Sequence, residues 1–307
     1  MHKIRRSIYI EKAEWEKLDF SNKYALKVLA AGMTLQEKVF CHESAAVLLG
    51  LPFNIDEGEI HVLVQESKNS RVKTSGVKFH TTQRKITTVE SFGALATDIS
   101  ETSIALAKKY RTAEAVAVFD FAQATGEVSK SSLVDDLEIQ LDLRGKRAAR
   151  IALDLSSPYS ESIGESYSRM TILALGFPAP QLQKEFFTDT GDYRVDFWWP
   201  EYGVVGEFDG KVKYQKSAEF WHSADRDAEN SAVDNPLYRE KIREDSIRRE
   251  TAAFVRWGMK DLRSPKNLLR ILGDAGLPRI NTINPNLLPT FSLTSLPLQR
   301  VGSLQKG

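Results

Sequence analysis

Arg194-Val195-Asp196-Phe197-Trp198-Trp199-Pro200-Glu201-Tyr202-Gly203-Val204-Val205-Gly206-Glu207-Phe208-Asp209-Gly210-Lys211-Val212-Lys213-Tyr214 reads as a β-hairpin. Apolar and aromatic residues alternate with polar ones on both arms, and Pro-Glu-Tyr-Gly supplies the turn. A symmetric four-residue turn sets Trp199 opposite Val204, and therefore Asp196 opposite Glu207 and Arg194 opposite Asp209. Strand side chains repeat every two residues. Asp196, Glu207 and Asp209 are thus expected on one face, with Val195, Phe197, Val204 and Phe208 on the other. Carboxylates opposed across strands repel. A divalent cation would offset that repulsion, and Mg²⁺ takes carboxylates together with waters and phosphate oxygens. The alternative is a solvated surface patch. Against it, Asp196 adjoins Phe197-Trp198-Trp199 and Glu207 interrupts Val204-Val205-Gly206, and charges inside apolar runs seldom serve solubility.

Working outward, Ser162-Ile163-Gly164-Glu165 is a capping box opening a helix that ends at Gly176, with Ile163, Tyr167, Met170 and Ala174 as its buried stripe. A strand at 183–188 precedes the hairpin. A polar stretch at 217–236, a helix over 238–250, a strand at 253–257 and a helix over 264–272 follow it. This order predicts an α/β sandwich with a mixed sheet, spanning 157–275. Residues 1–156 read as a separate mixed α/β domain: a strand at 7–10, a helical stretch, a helix at 44–49 closed by Gly50, strands at 59–65 and 77–82, then helices over 102–110, 113–124, 133–141 and 145–155. Ser131 or Ser132 is expected to cap the third of these helices. The polar run at 156–160 marks the boundary. Residues 276–307 carry no acidic side chain and several prolines, the composition of a tail that is disordered or lies along a surface.

At 307 residues, two domains with real cores are expected. The 42 Lys+Arg against 41 Asp+Glu leave a formal net charge of +1, so nucleic-acid binding would need a local basic patch. The single cysteine, Cys41, excludes an internal disulfide and a thiolate zinc cluster. It reads as a small buried residue in a reducing cytoplasm. The basic N-terminus is followed by no apolar core segment and no run approaches a membrane span, so a cytoplasmic protein is expected.

Arg194-Val195-Asp196-Phe197, Glu207-Phe208-Asp209-Gly210 and the helix-borne Glu165 resemble the PD-(D/E)XK nuclease superfamily, in its very-short-patch-repair-like branch. Across nearly the whole chain to about 275, Ser44-Ala45-Ala46-Val47-Leu48-Leu49-Gly50-Leu51-Pro52, Glu207–Tyr214 and Glu240-Lys241-Ile242-Arg243-Glu244-Asp245 also resemble actinobacterial AbiEi-like type IV antitoxins. Strict nuclease members carry Glu-x-Lys. Here Asp209 stands at the lysine position, and Lys211 or Lys213 would reach back from further along. AbiEi-like proteins usually begin with a complete winged helix-turn-helix, whereas Arg5-Arg6-Ser7-Ile8-Tyr9-Ile10 looks like the end of one.

The resemblance implies a restriction-endonuclease-like domain. Asp196, Glu207 and the Phe208 carbonyl would bind Mg²⁺ or Mn²⁺, with Glu165 at a second metal or as base. Asp209 would extend the site or hold Arg194, and Lys213, or else Lys211, would neutralise charge on the phosphate. Glu165 is equally explained by its capping box. Arg194, Lys241 and Arg248 would contact DNA, although Lys241 and Arg248 also fit a salt-bridged surface helix, and Lys146, Arg147 and Arg150 a solvated face. His61 and His80 on predicted strands read as structural. His222 and Trp221 lie in the polar stretch. The functions implied are a Mg²⁺-dependent DNA endonuclease or a non-catalytic antitoxin-type regulator, with DNA, a protein partner or a second copy as partners and no membrane.

Overall fold

A computed structural model describes residues 1–35, 37–54, 58–65, 75–210, 236–295 and 305–306. The chain divides into two compact units, Met1–Pro158 with Ser292–Gly307, and Tyr159–Phe291. Lys211, Lys213, Trp221, His222 and the polar stretch up to residue 235 lie outside the described residues.

The first unit contains β1 (His2–Arg5), β2 (Ile8–Ile10), α1 (Lys12–Lys17), α2 (Phe20–Thr34), β3 (Val39–Phe40), α3 (His42–Leu49), β4 (Ile60–Gln65), β5 (Val77–Thr82), β6 (Thr88–Ser91), β7 (Ala94–Thr97), α4 (Ile99–Ala107), α5 (Thr112–Ala124), α6 (Lys130–Glu138) and α7 (Lys146–Leu155). Its main sheet runs β5-β4-β3-β7-β6, with β4/β5 and β3/β7 parallel and β3/β4 and β6/β7 antiparallel. Apolar residues of the central strands, Phe40, Val62 and Ala96, pack with Val28 and Ala31 of α2, Ala45 and Leu48 of α3, and Val118 of α5 into one core. Gly50 closes α3 in the left-handed conformation at φ 71°, donating its N–H back to the last turn. The α6 cap is Ser129, whose side chain accepts from the Ser132 N–H while Ser132 returns a bond to the Ser129 N–H. The cap thus falls two or three residues before the expected Ser131 or Ser132, because Ser132 serves as the reciprocal member of the box.

The second unit contains α8 (Ile163–Ala174), β8 (Gln181–Thr188), β9 (Gly191–Trp199), β10 (Val204–Asp209), α9 (Pro236–Glu250), β11 (Ala253–Gly258), α10 (Met259–Leu262) and α11 (Pro265–Asp274). Its sheet runs β11-β10-β9-β8; β8, β9 and β10 are antiparallel neighbours and β11 joins parallel to β10. This is an α/β fold with a mixed sheet, as the order of sequence elements predicts. Trp199 pairs with Val204 and Phe197 with Gly206, the expected hairpin register. Two glycines permit the close layering. A Cβ at Gly164 would strike the Phe208 ring, and one at Gly206 the Trp257 ring.

Over its described residues 276–295 the terminal segment lies along the surface, one of the two placements its composition allowed. Ile280 and Asn281 donate their N–H groups to the Gly176 carbonyl at 2.8 and 3.1 Å, and Asn284 donates to that of Ala174 at 2.8 Å. These bonds satisfy carbonyls left over at the end of α8. Phe291 stands edge-on to Tyr167. Beyond it the chain joins the first unit, where Thr294 bridges Phe53 and β12 (Gln305–Lys306) pairs with β2.

Candidate functional site

Strand alternation fails at Asp196, and the failure shapes the site. The β8/β9 ladder pairs Leu182 with Phe197 and Lys184 with Val195 but skips Gln183 and Asp196 between them. Gln183 sits at φ 50°, a left-handed conformation that costs a non-glycine residue free energy. Across this kink the apolar residues change sides. Phe197 stacks with Trp199 and lies tilted against Trp257, whereas Val195 packs with Val205, Ile247 and Phe254. Val195 therefore lies with Val205, on the side expected for Glu207, and the single alternating face predicted for Asp196, Glu207 and Asp209 does not hold through β9. The paired strands separate beyond Gly206/Phe197, and the Asp196 carboxylate takes the place of a ladder acceptor, with Oδ2 receiving the Phe208 N–H at 2.9 Å. Irregular pairing that re-aims a side chain in this way is common beside functional sites.

Glu165 meets the kink from α8. Its Oε1 accepts from the Ser162 hydroxyl at 2.8 Å, and its Oε2 from the Glu161 N–H at 2.9 Å and the Gln183 amide at 3.0 Å. Burial, with the nearby negative charges of Asp196 and Glu161, raises its pKa above the ordinary carboxyl value. Ser162 caps α8 by accepting the Glu165 N–H at 3.1 Å, but the Glu165 carboxylate takes the Glu161 N–H in place of that of Ser162, so the returning half of the expected box is displaced by one residue.

Glu207 is 8 % exposed and its repulsion problem is solved by guanidinium groups. Arg243 of α9 binds Oε1 through Nη2 and Oε2 through Nη1, the latter at 3.2 Å. Arg256 of β11, paired with Glu207 in the parallel register, reaches Oε2 at 3.0 Å. Arg243 also donates to the Arg194 carbonyl at 2.9 Å, and Arg256 binds Glu240 and, at 3.4 Å, Glu244. Burial works against the Arg243 cation, but its bonds to Glu207 outweigh that and hold its pKa above the ordinary value.

The carboxylates supply the hard oxygen donors Mg²⁺ prefers, yet both Glu207 oxygens are committed to arginine. Among the described residues, Asp196, Glu207, Asp209 and Glu165 form no set of three donors within 4.8 Å of one another. The arrangement does not fit a preformed magnesium centre. Asp209 ends β10 half-buried opposite Gly258. Phe208 spends its N–H on Asp196 and its ring on Gly164. Arg194 is held by Glu161 at 2.7 Å. Lys241 is exposed on α9, and Arg248 pairs with Glu244 at 2.7 Å while lying over the Phe254 ring. In the first unit Lys146 and Arg150, both half-buried, are paired with Glu138 at 3.2 Å. Arg243 and Arg256 are the residues that sequence reasoning missed. Arg256 carried the same signal as Glu207, a lone charge inside the apolar run Phe254-Val255-Arg256-Trp257.

A second cluster, in the first unit, brings together three histidines that have no regular spacing. His42 and His80 stack with ring centroids 3.9 Å apart, and His61 lies 5.1 Å from His80. His61 Nδ1 and His80 Nε2 are hydrogen-bonded at 2.9 Å. The fully buried Glu43 stands behind them. Its Oε2 is 3.6 Å from His61 Nε2, and its Oε1 accepts from Lys109 at 2.8 Å and Tyr110 at 3.1 Å. Cys41, His42 and His80 each offer a donor atom within 4.8 Å of the others. A cleft of about 860 Å³ opens over His42 and His80. Burial above all, then neighbouring imidazoles and lysines, holds the His42 and His80 pKa values down to about 3, so both rings are neutral at physiological pH. The structural reading of His61 and His80 on their strands leaves this convergence unaccounted for.

Among the described residues, no helix is long and apolar enough to cross a membrane. The chain is 31 % identical over 118 residues to two Mycobacterium tuberculosis proteins, Uncharacterized protein MT2308 and Uncharacterized protein Rv2248. The match takes in 38 % of this chain and 44 % of each relative, so the chain spans less than half the length of the curated relatives it matches. No family model matches the chain. No solved structure matches it either.

Proposed function

We propose that the unit Tyr159–Phe291 binds nucleic acid through a nuclease-like fold whose acidic site is neutralised by arginine, the regulator reading of the chain. The observation that carries this is the clamp of Arg243 and Arg256 on Glu207. A carboxylate so paired serves to lock α9 onto the sheet and is not available to a metal. The element order from α8 through α11, with three antiparallel strands and one parallel strand, is in keeping with the nuclease-like part of the proposal. Phosphate contacts fall to the exposed side chains of α9, Lys241 and Arg249, with Arg248 held between Glu244 and the Phe254 ring. The test is binding of labelled duplex DNA, single-stranded DNA and RNA in EDTA, over a salt series. Binding that persists in EDTA, weakens with salt and falls in Lys241→Glu, with no cleavage on adding Mg²⁺, is expected. Absence of binding to all three would overturn the proposal.

A second reading, metal-dependent cleavage of DNA in phage defence, is favoured by one observation, the half-buried Glu165 with raised pKa beside Asp196. A carboxyl so placed suits general acid–base work. That reading requires both guanidiniums to leave Glu207. Cleavage in Mg²⁺ or Mn²⁺ that is lost in Asp196→Asn would put it in place of the first.

A further inference from the structure

We propose that Cys41, His42 and His80 form a binding site for a divalent cation of the zinc class in the first unit, with Glu43 and His61 as its supporting shell. Thiolate and imidazole are the donors that favour zinc over magnesium or calcium. All three donor atoms lie within 4.8 Å of one another, although the residues come from the β3–α3 junction and from β5. A tetrahedral shell at about 2.0–2.3 Å from the metal holds its donors roughly 3.3–3.8 Å apart, so a pair at the 4.8 Å limit closes by about 1 Å on binding.

Three independent features point to a ligand here. The first is the backbone at His42. Consecutive residues of an extended chain send side chains to opposite sides, but His42 takes φ 50° directly after the extended Cys41. The turn into α3 thereby returns the imidazole to the side of the thiol. Strain of this kind persists where the surroundings impose it, and it gathers at functional sites.

The second is an orphan. His42 Nδ1 is buried and has no hydrogen-bond partner, although a buried imidazole nitrogen ordinarily finds one. A cation supplies that partner.

The third is the chain Glu43–His61–His80. The buried carboxylate favours the proton of His61 on Nε2, which faces it at 3.6 Å. His61 Nδ1 is then an acceptor, so the 2.9 Å bond is donated by His80 Nε2–H. This tautomer leaves the lone pair of His80 on Nδ1, the nitrogen left for a metal. Metal-bound histidines are commonly oriented in this way by a relay ending in a carboxylate. Glu43 has no exposed surface; Lys109 holds Oε1, while Oε2 has no hydrogen-bond partner and faces His61. His42 and His80 also line the cleft, so a three-donor shell leaves one coordination position facing it. Closing the shell tilts the two imidazoles out of their stack.

The experiment titrates the full chain, stripped with chelator, with Co²⁺ and then Zn²⁺. Cys41 is the only cysteine in the sequence. A thiolate-to-cobalt charge-transfer band in the wild-type protein therefore originates at Cys41 and requires no variant. The expected result is stoichiometric binding with that band, visible d–d bands of tetrahedral intensity, and displacement by Zn²⁺. Glu43→Gln, with its fold checked by circular dichroism, should bind about 10–100-fold more weakly. A wild-type protein that takes up no cobalt, or takes it up without the thiolate band, overturns the site. Folded His80→Gln binding as tightly as wild type does so as well.

Discussion

Arg243 meets Glu207 end-on, with each terminal nitrogen of the guanidinium bound to a separate carboxylate oxygen. Two residues 36 apart in sequence thereby fix α9 against β10. The same carboxylate also takes Arg256 from the neighbouring strand. The charge that the hairpin places in an apolar run is compensated within the protein, and the geometry of the second unit is organised around that compensation.

Removing Arg243 should therefore be costly. Arg243→Ala leaves Glu207 with Arg256 alone in a site where the carboxylate side chain is 10 % exposed, and hydrogen bonds to charged groups are worth about 1.5–3 kcal/mol. Arg270→Ala, which breaks a pair with both side chains 68 % exposed, should change stability by less than about 1 kcal/mol. Urea denaturation of the two variants checks the contrast. Equal losses would mean that the Arg243 pair does no more than a surface pair.

Glu165 gives the second unit a definite pH response. Its pKa is raised in the folded chain, by burial first and with help from Asp196. The folded form thus holds the proton to a higher pH than the unfolded form. The associated stability is fully present below the unfolded carboxyl pKa and is lost as pH rises through the folded value. Asp196→Asn keeps an oxygen for the Phe208 N–H but removes the charge, so the Glu165 pKa should move down without returning to normal, since burial remains. Carboxyl NMR titration of both proteins reads this directly. An unchanged Glu165 would show that Asp196 exerts no electrostatic influence on it.

The hairpin register was legible in the sequence because Pro200–Gly203 dictates the turn, and the α8 cap because Ser162 and Glu165 stand at box spacing. The kink was not, since glutamine carries no signal for the positive φ that Gln183 adopts. For a similar reason the β6–β7 hairpin escaped notice. Its turn residues Phe92 and Gly93 both have positive φ, a conformation usually signalled by Asn-Gly. Arg256 was readable as a lone charge, but its partner follows only from the parallel register of β10 and β11, which no local pattern supplies. The histidine cluster assembles from a helix start and two strands, and nothing in their spacing announces it.

Gly206 makes a steric prediction. An alanine Cβ there would run into the Trp257 ring and lie 3.2 Å from the Trp199 ring. Both indoles are buried and anchored, Trp257 to the Ser168 hydroxyl and Trp199 to the Pro178 carbonyl, each at 2.8 Å. Neither can withdraw without losing a hydrogen bond. Gly206→Ala should destabilise the second unit by about 1–3 kcal/mol, the usual cost of overpacking. Thermal unfolding followed by tryptophan fluorescence measures it, and a midpoint equal to wild type would show that the layer is looser than described.

The first unit should respond to acid in the opposite sense to Glu165. In the unfolded chain His42 and His80 take a proton near the ordinary 6.5, while in the folded chain each resists down to about 3. Between those values the unfolded state binds more protons, so stability falls as pH is lowered through the window and is fully present above it. The groups facing the pair agree with this sign. Burial acts first; His61 opposes the charging of His42 and His42 that of His80; Lys78 and Lys109 add to the opposition at both rings, and Lys108 at His42. Glu43 faces His61 from behind, with Oε1 bound by Lys109. The measurement is hydrogen exchange of core amides in α3 and β4, with chelator present, between pH 7 and about pH 4.5. Protection should drop on acidification in wild type and drop less in folded His42→Gln. Acid-independent protection would mean that these imidazoles are not held neutral by the fold.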